Sequence, residues 1–302
     1  MPDTYNDLRL NIRQKLLDAG IEAATLEARE IVCHASGKTR DELHASTRRY
    51  IPEDVYTRAQ ELLDRRLAGE PLAYLIGEWD FYGMTFQVTR DVLIPRTDTE
   101  LLCRAALKHI FSRGLPGLRV LDLCCGSGCL GLAVAKHAPS VKNPDAKPWD
   151  EPAEPVSSCR LTLADIDEAA LAVTRHNARE HGVTAAAVNA DALAPPPEEL
   201  GSFDLILCNP PYIAACEWDG LDSGVKDHEP RRALCDEADG LSFYRALAEH
   251  WGPALRPGGV LLVECGHTQA GAVSSIFVQS GWAQKNVLSD DQGFLRVLVF
   301  GK

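Results

Sequence analysis

Asn209-Pro210-Pro211-Tyr212 directly follows the apolar run FDLILC. Two prolines at the end of a buried strand stop its hydrogen-bond ladder, hold φ near about −65° and keep the residue before them extended. The outcome is a rigid, proline-braced asparagine followed by an aromatic ring. The Asn209 side-chain oxygen and the Pro210 carbonyl can accept both N–H bonds of one planar amino group, leaving that nitrogen's third direction for an electrophile. Tyr212 can stack on the flat acceptor. A strand-terminating turn with a packed tyrosine would account for the prolines, but it needs no amide beside them.

The electrophile is read from three other strand ends. RVLDLCCGSGCLGLAVA has the pattern of a strand, a turn with Gly126 and Gly128, and an apolar helix. In open α/β sheets ligands bind beyond the carboxyl ends of the strands, where glycines let a nucleotide approach the backbone. This turn is neither the G-x-G-x-x-G of dinucleotide folds nor a phosphate P-loop, and an ordinary tight turn is the plain alternative. Asp165 closes LTLAD, where a carboxylate can accept both ribose hydroxyls, while Asp167 is better placed to cap the helix that follows. Asp191 closes AAAVNAD, either as an adenine contact or as a solvated loop carboxylate. Taken with the asparagine, these point to the methyl group of S-adenosylmethionine and to amine or amide methylation. Such a cofactor would lie along the turn of Cys124, Cys125, Gly126, Ser127 and Gly128, with Asp165 available to the ribose, Asp191 left open between adenine contact and solvated carboxylate, and Asn209 beside the electrophile. Asn209, Pro210, Pro211 and Tyr212 form the expected substrate and catalytic set.

These groups need a sheet to carry them. Beyond Arg96 the runs RVLDL, LTLAD, AAAVNAD, FDLILC, GVLLVEC and LRVLVF alternate with helical stretches, which predicts a doubly wound α/β sheet. Residues 1–70 read as a small helical domain. Leu8, Ile12 and Leu16 are spaced for one face, Gly20 is a stop, Thr25 opens a second helix, and Pro52 starts a third with Val55, Leu62, Leu63 and Leu67 on one side. Residues 71–95 read as a hairpin linker punctuated by Gly77 and Gly83, and residues 96–302 as the catalytic domain. The proline-rich stretch 139–158 reads as an irregular loop with no catalytic part.

Composition narrows the function classes. With 302 residues, 45% hydrophobic and 25% charged, the chain is ordinary soluble-globular material, long enough for two unequal domains. The formal charge of −12 removes the broad basic field of non-specific nucleic-acid binders. No run approaches the roughly 20 apolar residues of a spanning helix and the start lacks a signal-peptide pattern, so a cytoplasmic location without membrane contact is expected. The 10 cysteines have no disulfide-framework spacing, no C-x-x-C pair and no H-E-x-x-H, so reduced thiols and no metal are expected.

Asn-Pro-Pro-Tyr is shared by methyltransferases acting on planar nitrogens, whether of nucleic-acid bases or of protein glutamine. Four segments separate those groups: EPLAYLIGEWDFYGMTFQV at 70–88, VLIPRTDTE at 92–100, NPPYI at 209–213 and EPRRALCDEADGLSFYR at 229–245. Together they make the chain similar, over nearly its whole length, to the release factor glutamine methyltransferases, the HemK/PrmC family. The resemblance implies a Rossmann-like class I methyltransferase sheet with a helical N-terminal domain. It also implies S-adenosylmethionine as cofactor, and peptide chain release factors, methylated on the glutamine of their Gly-Gly-Gln tip, as partners of a monomeric enzyme. Arg96, Thr99 and Glu100 match a family segment, as ligand contacts or as structural support. Cys124 stands where the family usually has glycine, which costs roughly 1–2 kcal/mol if that position needs positive φ. The alternatives are a methyltransferase for exocyclic amines of DNA or RNA bases and a non-catalytic binding module.

Overall fold

The computed structural model describes residues 4–113, 117–138 and 159–302. The proline-rich stretch 139–158 lies outside the described residues. Along the chain run α1 (Tyr5–Asp18), α2 (Ala24–Ser36), α3 (Arg40–Ala45), α4 (Glu53–Leu67) and α5 (Leu72–Ile76), then a hairpin of β1 (Glu78–Phe81) and β2 (Met84–Gln87). There follow α6 (Thr99–Arg113), β3 (Arg119–Leu123), α7 (Cys129–His137), β4 (Arg160–Asp165), α8 (Glu168–Glu180), β5 (Ala185–Asn189) and β6 (Phe203–Cys208). The remainder comprises α9 (Ser223–Lys226), α10 (Arg231–Leu234), α11 (Ser242–His250), β7 (Leu255–Glu264), α12 (Ala270–Gln279), β8 (Ala283–Ser289) and β9 (Leu295–Gly301). The chain divides into two compact units, one of Met1–Glu78 with Asp222–His228, the other of Trp79–Leu221 with Glu229–Lys302.

In the first unit Thr4 caps α1 reciprocally with Asp7, and Thr39 caps α3 with Glu42. Leu8, Ile12 and Leu16 of α1, Ile31 and Val32 of α2 and Leu63 of α4 are all fully buried where these three helices meet. Arg66 closes a two-pronged bond on Glu27 at 2.7 and 3.1 Å, tying α4 to α2. Two expectations are corrected. Leu67 is 40% exposed rather than on the buried face, and residues 72–76, expected within a hairpin, form α5. Pro71 and Gly77, at φ 78°, bound that single turn, so a short apolar helix had the look of a strand. The hairpin itself turns at Tyr82 and Gly83 with φ 50° and 74°, the two positive angles of a type I′ turn.

The second unit is built on a seven-stranded sheet of order β5-β4-β3-β6-β7-β9-β8. β5, β4, β3, β6 and β7 are parallel, while β9 is antiparallel to both β7 and β8. Val120, Leu205, Leu207 and Leu262 join one core with α6, α7 and α8; Leu121, Leu123, Ile206 and Val263 join the other with α11 and α12. Strands covered on both faces read as continuous apolar runs, which is why the central strands were visible in sequence. β8, missed in sequence, is a largely exposed edge strand.

The α7–β3 crossing fixes the entrance to the site. Gly131 donates its N–H to Asp122 Oδ2 at 2.8 Å, and a Cβ on Gly131 would lie 2.7 Å from Leu163 Cδ2 and 2.8 Å from Asp122 Cβ. Burial pushes the Asp122 carboxyl up to about 7. Gly131→Ala is therefore expected to destabilise the fold by about 1–3 kcal/mol through overpacking, measured by chemical denaturation; an unchanged midpoint would show that α7 has slack against the sheet.

Candidate active site

The turn after β3 is held by its neighbours. Cys124 has φ 61°, Gly126 54° and Gly128 78°. The cysteine thus occupies a left-handed conformation that costs an L side chain roughly 1–2 kcal/mol. Cys125 N–H donates to Ala164 O at 3.0 Å, just beyond the last ladder pair of Leu123 with Ala164. Gly126 N–H donates to Asp165 Oδ2 at 2.9 Å, and the Thr174 hydroxyl donates to Gly126 O at 2.6 Å. Buried Asn177 donates to Ser127 O at 2.9 Å and exchanges bonds with the Gln87 main chain. A Cβ on Gly128 would meet Thr174 Cγ2 at 3.1 Å, so this glycine admits α8, whereas a Cβ on Gly126 would face open space. The Cys208 hydrogen bond and burial both push the Cys124 thiol well up, so it stays protonated and is no nucleophile.

A crevice of about 370 Å³ opens beyond these strand ends, lined by Cys124, Cys125, Gly126, Ser127, Asp165, Asp191, Asn209 and Pro211. Gly128, Pro210 and Tyr212 do not line it. Asp165 Oδ1 accepts from Asp167 N–H at 3.0 Å, so each carboxylate oxygen spends one lone pair on backbone and keeps another for a ligand. Burial raises the Asp165 carboxyl while those two N–H groups oppose the rise. Asp167, and not Asp165, is the N-cap of α8. Asp191 Oδ1 accepts from Leu193 N–H at 2.8 Å. Ile166 and Leu193, 48% and 42% exposed, flank the crevice as bare aliphatic groups.

On the opposite wall Asn209 Nδ2 donates to Thr99 Oγ1 at 3.1 Å, which leaves Oδ1 as the uncommitted end of the amide. Tyr212 packs partly buried against the second core, and its carbonyl accepts from Gln269 Nε2 at 2.8 Å. The same nitrogen reaches Gly240 O at 3.1 Å, where a Cβ would approach Tyr212 O to 2.6 Å. Ile213 N–H donates to Leu234 O at 2.9 Å and Asp236 N–H to Ile213 O at 3.1 Å, so the 229–237 segment is stitched onto the proline turn. The 92–100 segment has mixed roles. Glu229 pairs with Arg96 and accepts from Ile94 N–H, and Glu100 accepts from Tyr82 N–H at 2.9 Å. Thr99 and Arg96 both line the crevice, and Thr99 also holds Asn209.

Thr174, Asn177, Gln269, Arg232 and Glu264 escaped the sequence reading. Thr174 and Asn177 did carry a signal, as polar residues within the buried stripe Leu171, Val173, Ala178 of α8. Arg232, bonded to Asp167 at 2.9 Å, and Gln269 sit in segments without periodic pattern.

A mostly parallel sheet with an antiparallel final pair, a glycine turn after β3 and an acidic residue after β4 define a Rossmann-like class I methyltransferase domain, a class that uses S-adenosylmethionine. Residues 115–268 match a methyltransferase domain and residues 7–77 match the PrmC N-terminal domain. The chain is similar to release factor glutamine methyltransferases of Thermodesulfovibrio yellowstonii (34% identical, 91% of this chain and 92% of that one) and Nitratidesulfovibrio vulgaris (35%, 98% and 94%). That of Bordetella pertussis is 36% identical over 95% of this chain and 97% of its own. The chain belongs to the release factor glutamine methyltransferase family.

The residues present fit the cofactor. Open space before Gly126, the spare lone pairs of Asp165 and the aliphatic pair Ile166 and Leu193 suit a phosphate-free nucleoside. Asp165→Ala should weaken S-adenosylhomocysteine binding by about 2 kcal/mol or more, roughly thirtyfold, through the loss of charge-assisted bonds. Titration calorimetry showing native affinity would remove Asp165 from the ribose.

Proposed function

We propose that this chain transfers the methyl group of S-adenosylmethionine to the side-chain amide nitrogen of the glutamine in the Gly-Gly-Gln motif of peptide chain release factors. The observation that carries the reading is the orientation of Asn209: its Nδ2 is spent on Thr99, so its oxygen is the end available at the crevice. A carbonyl-type oxygen there accepts an N–H and so selects an amino or amide substrate. Bound S-adenosylmethionine supplies an electrophilic methyl group.

The chain's task is to make a poor nucleophile react. An amide lone pair is delocalised into its carbonyl. Acceptors on both N–H groups, Asn209 Oδ1 and the Pro210 carbonyl, push density back onto nitrogen and strengthen as it becomes positive. Prolines at 210 and 211 and the Gln269 bond to Tyr212 O hold those acceptors still, and alignment of two bound reactants is worth roughly 7–11 kcal/mol. Tyr212 is proposed to pack on the glutamine, with Pro211 shaping the wall. Among the cofactor contacts, Cys124, Cys125, Gly126 and Ser127 form the floor, Asp165 takes the ribose, Asp191 lies by the adenine, and Gly128 acts by admitting α8.

The −12 charge supports a protein substrate over an exocyclic amine of a nucleic-acid base, which would present the same –NH₂ to the same acceptors. We take the enzyme to be monomeric and cytoplasmic, without direct nucleic-acid contact. No helix among the described residues is long and apolar enough to cross a membrane.

The assay is mass spectrometry of the Gly-Gly-Gln peptide after incubation of release factor with enzyme and cofactor. Asn209→Ala should lower single-turnover methylation about a hundredfold while S-adenosylhomocysteine affinity stays within a few-fold, as for loss of one transition-state hydrogen bond of about 2.7–4 kcal/mol. A near-native rate would leave the proline turn a structural feature only.

For residues 1–70 we propose recognition of the release factor beyond its tip, with 71–95 as linker and 96–302 as the catalytic part. A tripeptide offers too little surface for an interface of roughly 1,200 Å². A chain lacking 1–70 that still binds S-adenosylhomocysteine should lose methylation of intact release factor far more than that of a Gly-Gly-Gln peptide. Equal losses would contradict a recognition role.

A further inference from the structure

Glu264, the last residue of β7, is 1% exposed, and its Oε2 has no hydrogen-bond partner. Register makes it a neighbour of the catalytic turn. Cys208 of β6 pairs with Val263 of β7, so the next residues of the two parallel strands, Asn209 and Glu264, emerge side by side. Thr99 and Asn209, bonded to each other at 3.1 Å, are the polar side chains beside its carboxyl, and they favour its ionised form. Glu264 does not line the crevice. A buried carboxyl oxygen without a donor is costly, and such groups call for a functional account.

Resting on the function proposed above and extending it, we infer that Glu264 is a positioning residue whose carboxylate, directly and through the Thr99 hydroxyl, holds the Asn209 carboxamide with its oxygen toward the crevice. The two ends of a carboxamide are nearly equal in shape, so packing alone does not choose between them. The neighbouring acceptor chooses. A carboxylate accepts only, so it draws Nδ2 to its side. Thr99 Oγ1 takes one Nδ2–H at 3.1 Å, which leaves its own hydroxyl proton for the carboxylate. A protonated Glu264 would instead offer an O–H to Asn209 Oδ1. The amide would then turn its –NH₂ toward the substrate –NH₂, and two donors would meet.

Burial pushes the Glu264 carboxyl up to about 7. The groups facing it are Asp98 before α6, Arg296 of β9, Tyr212, Cys129 of α7, Tyr244 of α11 and Cys265. Arg296 is shared with Asp98 and Asp290, at 3.1 and 3.0 Å, so it neutralises Glu264 only in part. Methylation should therefore fall as pH drops through about 7.

The test uses the full chain and two readouts. In the first, the Asn209 side-chain –NH₂ resonance, assigned by its loss in Asn209→Ala, should titrate with a midpoint near pH 7 and become pH-independent in Glu264→Gln. This needs no substrate. In the second, Glu264→Gln should slow single-turnover methylation at pH 8 by at least tenfold, with S-adenosylhomocysteine affinity within threefold and no acidic limb in its pH profile. Because the folded-state carboxyl is raised, its ionisation opposes folding above about 7, so the variant should melt no lower than the native chain at pH 8. Thr99→Val, which removes the relay hydroxyl at constant volume, should show a smaller loss of the same kind. If the native chain leaves release factor unmethylated, the functional reading falls and the resonance still decides the positioning. A resonance indifferent to pH and to Glu264→Gln, or a variant with native rate and pH profile, overturns the inference.

Discussion

The Asp165 carboxylate closes the gap between two parallel strands that have both run out of ladder, and the cofactor side of the site depends on it. Its two oxygens take the N–H groups of Gly126 and Asp167, one in the turn after β3 and one in the turn after β4. Each is a backbone donor that no strand satisfies, and a bond to a charged acceptor contributes roughly 1.5–3 kcal/mol. Placing Asp167 lets it cap α8, and α8 in turn delivers Thr174 and Asn177 to the carbonyls of Gly126 and Ser127. The glycine turn therefore owes its shape to the neighbouring β–α unit as much as to its own glycines.

The acceptor side has a different kind of support. The proline turn after β6 lacks a ladder on which to rest, so its carbonyls and N–H groups are taken up by Gln269 and by the 234–236 backbone. Gly240 is needed there because any side chain would strike Tyr212 O. The turn that carries the asparagine is thereby braced by backbone bonds and by prolines.

Several features of this edge work against stability. Cys124 sits at φ 61°, and two buried carboxyls, Asp122 and Glu264, are both raised to about 7. A raised carboxyl binds its proton more tightly in the folded state, so its stabilising contribution is complete at low pH and is lost as pH rises through about 7. Such costs gather at the carboxyl ends of the strands, while the two cores on the sheet faces are apolar. Asp122 returns part of its cost through the Gly131 N–H; Glu264, with one oxygen unpartnered, returns less.

The sequence by itself determined the doubly wound class, the central strands and the rigid proline turn after β6, because these are local: continuous apolar runs, glycines after a strand, and prolines that set their own φ. It determined the helical N-terminal segment through the period of Leu8, Ile12 and Leu16. It could not mark α5, whose single apolar turn is too short to show a period, or the polar edge strand β8. The order β5-β4-β3-β6-β7-β9-β8 and the partners of each strand-end group were decided by tertiary structure. Thr99 meets Asn209 across 110 residues and Gln87 meets Asn177 across 90, and no local pattern records such distances. Glu264 reads in sequence as the polar residue that ends a strand. Only the register of β6 against β7 sets it beside Asn209, because a parallel ladder aligns the ends of strands that lie far apart in the chain.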